Sequence, residues 1–297
     1  MAQALPGFRN STTGRIVGAE WKRVQLVLGA CLSPAMGERT AVRLFSSPAR
    51  HARPDSENLL LARARAFRVQ GLAAWRWGSG PPVLLVHDWE GRGAELGAFA
   101  SPLVERGFSV VAFDAPAHGA SPGLRANVGD FANAVTAMSD RIGTPRAIIA
   151  HSFGALGSLL AVQRGVPAKA LVLIAPTSPT ERLARFQDDL DVPADILNGL
   201  RHRVERRVGA SFDALEGANL VKELTIPGLV VHDVQDREAP IRVGDAIAGA
   251  WSGATLHRTE GLGHRRILSD EGVVNRVAEF VVQGATSDAS APFRPTS

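Results

Sequence analysis

The sequence predicts an α/β fold: a mostly parallel sheet with helices on both faces and a helical lid inserted near the end. Two observations carry the sheet. Short apolar runs of the kind buried on both faces recur at Val83–Val86, Phe108–Phe113, Ala170–Ala175 and Gly228–His232. Helix-period segments separate them, an alternation that joins parallel strands by crossovers. The third observation places chemistry on that sheet. Strand residues Ala147–Ala150 stop at His151-Ser152-Phe153-Gly154, and an Ala- and Leu-rich helix begins at once. Ser152 must therefore sit on the turn at the carboxyl edge of the sheet, with the Phe153 N–H in the first helical turn beside it.

Taken in order, residues 1–20 carry Pro, Gly, Asn, Ser and Thr with little periodicity and are expected to lack fixed structure. Residues 21–65 form an N-terminal helical segment, with apolar positions at helical spacing from Trp21 to Phe45 broken by Ser33-Pro34, then a polar connector. The main α/β domain spans 66–283. It starts with a hairpin, Ala66–Gln70 and Leu72–Trp77 meeting at Gly71, in which Trp75 and Trp77 read as core. Strand Val83–Val86, a helix from about Glu95 to Arg106, strand Phe108–Phe113 and a helix from about Val128 to Ile142 precede the Ser152 turn. Strand Ala170–Ala175 follows it. Residues 176–223 break the rhythm with charged, helical patterning and no strand, which reads as the lid. Strand Gly228–His232, a helix around Val243–Ala250, strand Ala254–His257 and a helix from about Ser269 to Val282 complete the domain. Residues 284–297 read as a disordered tail.

At 45% apolar and 21% charged residues, the 297-residue chain has a globular balance. Its net charge of +4 comes from scattered arginines with no nucleic-acid-binding arm, and no run reaches the ~18 apolar residues of a spanning helix. Cys31 stands alone, so no intramolecular disulfide forms. The cytoplasm is the default compartment, with lipid anchoring through Cys31 as the alternative, because Leu28-Gly-Ala-Cys31 imitates a lipoprotein processing site. Oligomeric state is left open.

A serine hydroxyl is weakly nucleophilic at neutral pH. It needs a histidine to take its proton and a carboxylate to hold that imidazole. Asp236 lies on the loop after Gly228–His232, and His264 follows Gly261 and Gly263 after Ala254–His257, giving the order Ser, Asp, His. Asp233 and Glu238 compete with Asp236 for the acid role. An oxyanion hole needs two aimed N–H groups; Phe153 supplies one, and the loop His87-Asp88-Trp89 supplies the other, read as Trp89. The only literal G-x-S-x-G match, Gly119–Gly123, fails because Pro122 has no N–H to donate, and Ser121 reads as a loop-stabilising hydroxyl. His87, His118 and His151 read as loop-ordering groups, and neither metal nor cofactor is expected.

With these motifs in hand, the chain resembles the α/β-hydrolase family over about Ala66–Val282. The motifs are His87-Asp88-Trp89, the Asp114-x-Pro-x-His-Gly-x-Ser121 loop, the elbow Ala150–Gly154, Asp236 and Gly263-His264. Departures from the family pattern are Asp88 and Asp233, where glycine is usual, and Ala117 and Ala150, which replace glycines. The resemblance implies a serine hydrolase acting on an ester or similar small-molecule acyl substrate. Two alternatives differ in class. One is the same fold used as a non-catalytic binding module. The other is a dinucleotide-dependent oxidoreductase, suggested by Gly91-x-Gly93 and by Asp114 ending the next strand, but Leu96 occupies the place of the third glycine.

Overall fold

In the computed structural model of the chain, residues 12–288 are described. The elements begin with α1 (Thr12–Leu32), α2 (Pro34–Ser46), α3 (Asp55–Ala62), β1 (Arg65–Val69), β2 (Leu72–Trp77) and β3 (Pro82–Val86). A 3₁₀ turn (Gly93–Phe99) leads into α4 (Ala100–Glu105), then β4 (Ser109–Phe113), α5 (Val128–Ile142), β5 (Ala147–His151), α6 (Phe153–Gln163) and β6 (Leu171–Ile174). The chain continues through α7 (Pro179–Leu190), α8 (Ala194–Val208), α9 (Gly217–Leu220), β7 (Gly228–Asp233), α10 (Ile241–Ala250), β8 (Ala254–Thr259), α11 (Gly263–Arg266) and α12 (Glu271–Asp288).

These elements cluster as two compact units. The larger, Pro48–Ser178 with the chain from Asp213 onward, holds one eight-stranded sheet in the order β1-β2-β4-β3-β5-β6-β7-β8. β1, β2 and β4 pair antiparallel, and every pair from β4 to β8 is parallel. The central strands are buried on both faces, as their unbroken apolar runs require. Val83, Leu85, Val110, Ile149, Val172 and Leu229 join one core with Phe99, Leu103 and Val277, while the alternate residues Leu84, Val111, Ile148, Leu171 and Val230 are equally inaccessible. Each such side chain contributes about 1.5–3 kcal/mol on burial. The parallel order places the carboxyl ends of β3, β4, β5, β7 and β8 along one edge, where sites on such sheets form.

The helix expected from Glu95 opens instead as the 3₁₀ turn. Gly93 lies against the Phe113 backbone and Gly97 against Leu60, where an added Cβ would meet Leu60 Cδ2 at 2.0 Å. The chain is thus drawn tightly against its neighbours at two glycines before it settles into α4.

The smaller unit combines the chain through Ser47 with Pro179–Phe212. Ser33 caps α2 by accepting the Met36 N–H at 3.2 Å, and Pro34 fills the first helical position, so the break read in the sequence is a two-helix corner. Glu38 of α2 pairs with Arg203 of α8 at 2.7 Å, and Phe45 meets Phe186 edge-on at 5.2 Å. Trp21, Val24, Val27, Leu28 and Leu32 are exposed along α1. Helix α1 already begins at Thr12, which corrects the expectation of an unstructured 1–20 for its second half; residues 1–11 lie outside the described residues. Likewise α12 continues to Asp288, past the expected start of the tail at 284, and the remaining residues lie outside the description. Among the described residues no helix is long and apolar enough to cross a membrane.

Candidate active site

β5 ends at His151 and α6 begins at Phe153, which leaves Ser152 alone on the turn with φ 50° and ψ −113°. A non-glycine residue at positive φ is strained. It is held there by its N–H, which donates to the Ile174 carbonyl at 2.9 Å, and by its carbonyl, which accepts from the Ala155 N–H at 3.0 Å. Glycine is obligatory two residues on: a Cβ on Gly154 would lie 2.3 Å from the His87 carbonyl oxygen and 2.7 Å from that of Val86. Ala150, at the first motif position, is wholly buried and tolerated.

The loops after β7 and β8 bring the expected acid and base together. Gly261 and Gly263, at φ 79° and 66°, turn the backbone into α11, and His264 Nδ1 donates to Asp236 Oδ2 at 2.7 Å. The other Asp236 oxygen accepts from the Glu238 and Ala239 N–H groups at 2.7 and 2.9 Å. The competing acids have other work. Asp233 accepts from Gln235 N, Thr259 Oγ1 and Leu262 N at 2.9–3.0 Å, binding the two loops to each other, and Glu238 faces Arg265 at the surface.

The expected oxyanion donors, Phe153 and Trp89, also converge. Their N–H groups donate to a single oxygen, Asp88 Oδ1, at 3.1 and 2.5 Å. Asp88 Oδ2 stands 3.6 Å from His264 Nε2. The Ser152 hydroxyl makes no hydrogen bond among the described residues, although Ser152 lies between Phe153 and His151, whose ring centroid is 4.7 Å from that of His264.

The histidines read as loop-ordering groups find their partners here, which the sequence did not name. His151 Nε2 donates to the His264 carbonyl at 2.9 Å, pinning the residue by its backbone. The Ala115 N–H donates to His87 Nε2 at 2.9 Å, so His87 carries its proton on Nδ1 and gives it to the Asp88 carbonyl at 2.6 Å. Asp114, offered above as a ribose-binding acid, is fully buried and accepts from Gly93 N and Ala120 N at 2.9 and 2.8 Å, which removes it from any ligand. Ser121 donates to the Asp114 carbonyl at 2.6 Å and accepts from Ala73 N at 2.9 Å, as a loop-stabilising hydroxyl. Histidines in polar loops signal such roles only once their partners are known.

The electrostatics follow from the contacts. Burial opposes charge on His264, but Asp236 and Asp88 outweigh it and raise its pKa from 6.5 to about 9. Burial would raise both carboxyls; instead the pairing with His264 at Asp88, and with His232 and His264 at Asp236, holds them well below the usual carboxylate range. Burial lowers His87 and His151 to about 4, so both are neutral. Asp88, His151 and His264 each bring a ligand-type atom within 4.8 Å of the others, yet His264 Nε2 already faces Asp88 and His151 Nε2 is bound to a carbonyl.

A profile of the family described as "Serine aminopeptidase, S33" matches residues 82–205, the stretch containing the elbow and the 87–89 loop. Solved structures share the fold. The Est1E protein of Butyrivibrio proteoclasticus, solved with ferulic acid, superposes with a TM-score of 0.60 at 19% identity over 77% of this chain and 100% of that one. The chain has the α/β-hydrolase fold. The monoacylglycerol lipase of Paleococcus ferrophilus shares it too, with a TM-score of 0.57 at 20% identity over 72% of this chain and 99% of the lipase. A pimeloyl-[acyl-carrier protein] methyl ester esterase of Methylococcus capsulatus is 25% identical over 248 residues, 69% of this chain and 96% of the relative.

Proposed function

We propose that this chain is a serine hydrolase that cleaves an ester or related small-molecule acyl substrate through an acyl-enzyme on Ser152. One observation carries the reading: a strained serine stands on a strand–helix turn, a histidine is fixed by a buried carboxylate, and two N–H groups, one from the residue after the serine, converge on one oxygen. His264 takes the Ser152 proton as Oγ attacks the acyl carbon, and Asp236 keeps the imidazole oriented and stabilises its charge. The Phe153 and Trp89 N–H groups receive the oxygen that becomes negative in the tetrahedral intermediate. His264 then protonates the leaving alcohol, and water, activated by the same imidazole, releases the acid. The esterase, lipase and aminopeptidase names among the relatives agree with acyl transfer to water.

Hydrolysis of short-chain p-nitrophenyl esters by wild type, with a loss of roughly a thousandfold or more in Ser152→Ala, is the expected outcome. A wild-type rate that survives the substitution sinks the assignment. The carboxylate against the two N–H groups favours one second reading, a non-catalytic binding module. Failure of a fluorophosphonate to label Ser152, read by intact mass, would carry that reading instead.

A further inference from the structure

We propose that the pocket bounded by the Trp89 N–H, the Phe153 N–H and His264 Nε2 is a carboxylate-binding site, and that its resident ligand is the chain's own Asp88. The inference rests on the serine-hydrolase reading and deepens it. A carboxylic acid product leaving an acyl hydrolase sets one oxygen on the oxyanion donors and turns the other toward the base. Asp88 reproduces that placement. Oδ1 accepts at 2.5 Å from Trp89 and at 3.1 Å from Phe153, while Oδ2 lies 3.6 Å from His264 Nε2. The side chain is nearly inaccessible, with 9% of the residue exposed. A carboxylate is the ligand this pocket fits, because two N–H donors and an imidazolium face it.

One side chain therefore blocks two steps. The substrate carbonyl oxygen has no place while Oδ1 occupies the N–H pair, and His264, paired with Oδ2, is held in the protonated form that cannot accept the Ser152 proton. Rotation of Asp88 out of the pocket, with release of the His264 proton to solvent, clears both together. No bond is made or broken in that opening.

The test uses the full chain as wild type, Asp88→Gly and Asp88→Asn, each with and without Ser152→Ala. Hydrolysis of p-nitrophenyl butyrate is followed across about pH 6–10, and thermal melts are taken with and without sodium acetate or butyrate. Asp88→Gly is expected to raise kcat/KM by about tenfold or more and to shift the low-pH limb of the profile downward. It should also become competitively inhibited and thermally stabilised by the free carboxylates, to which wild type is indifferent. Asp88→Asn keeps an amide oxygen on the N–H pair and frees His264, so its limb moves as in the glycine variant while its rate rises less. A folded Asp88→Gly protein that is no faster than wild type and gains no carboxylate response overturns the proposal and leaves the Ser152 reading standing. Carboxylate stabilisation of Asp88→Gly alongside turnover indifferent to Ser152→Ala upholds the pocket and sinks the nucleophile. Asp88→Ser stands in for the glycine variant if that protein does not fold.

Discussion

At the scale of single residues, two aspartates three positions apart, one ending β7 and the other on the loop beyond it, do opposite things. Asp236 offers an oxygen to His264, whereas both oxygens of Asp233 are spent on the loops around it. Asp236→Asn is expected to lower kcat/KM by about 10⁴ with the fold intact, because the imidazole loses its orienting acceptor. Asp233→Asn should instead cost about 1 kcal/mol of stability, read as a lower melting temperature, since it weakens a buried acceptor for three part-buried donors. The pH dependence of stability has a defined sign. His264 is raised in the folded chain, so its contribution is complete below the ordinary value of 6.5 and disappears as pH rises through about 9. Asp88 and Asp236 are depressed, so theirs is present above 3.8 and disappears in acid. Melts of wild type should fall between pH 6.5 and about 9, and Asp236→Asn should flatten that slope. The distance of Asp236 past its strand made it legible in the sequence, and Asp233 turns out to be the last residue of β7. The occupation of the N–H pair by Asp88 was not legible, because the Phe153 donor lies 65 positions away and meets it only in the folded sheet.

At the scale of elements, α5 carries a ring packed against Phe153, one of the two N–H groups proposed as oxyanion donors. Phe131 meets Phe153 edge-on at 5.1 Å and His87 at 5.6 Å, and Trp89 meets Phe153 at 5.3 Å. Helix α6 comes close enough for this only through Gly157, whose Cβ would lie 2.5 Å from that of Phe131. Phe131→Ala is expected to cost about 3–5 kcal/mol, and Phe131→Leu to keep the fold while lowering kcat more than it raises KM, both measurable by denaturant titration and steady-state kinetics. The strands and the elbow were readable because their signals are local: an apolar run, then Ser152-Phe153-Gly154. The ring cluster was not, since its members come from one loop and two helices far apart in the chain, and in the sequence each aromatic looks like ordinary core.

At the scale of the whole molecule, one compact unit is assembled from two distant stretches of chain. Gly37 of α2 sits where a Cβ would meet Ile196 of α8 at 2.8 Å, and Glu38 pairs with Arg203. Neither stretch buries its apolar face alone. Deleting residues 1–47 should therefore expose 179–212 to proteolysis, and mapping of the first tryptic cuts tests this; an unchanged cutting pattern would show that α7 and α8 stand without their partners. The sequence marked both stretches as helical but gave no sign that they pair, because helical periodicity names an apolar face without naming its partner. The carboxylate in the oxyanion pocket has a consequence of a different kind. Aspartate and glycine codons are separated by a single transition, so the gene lies one base change from an open pocket. A population forced to live on an ester as its carbon source is expected to enrich Asp88→Gly before any change elsewhere in the chain.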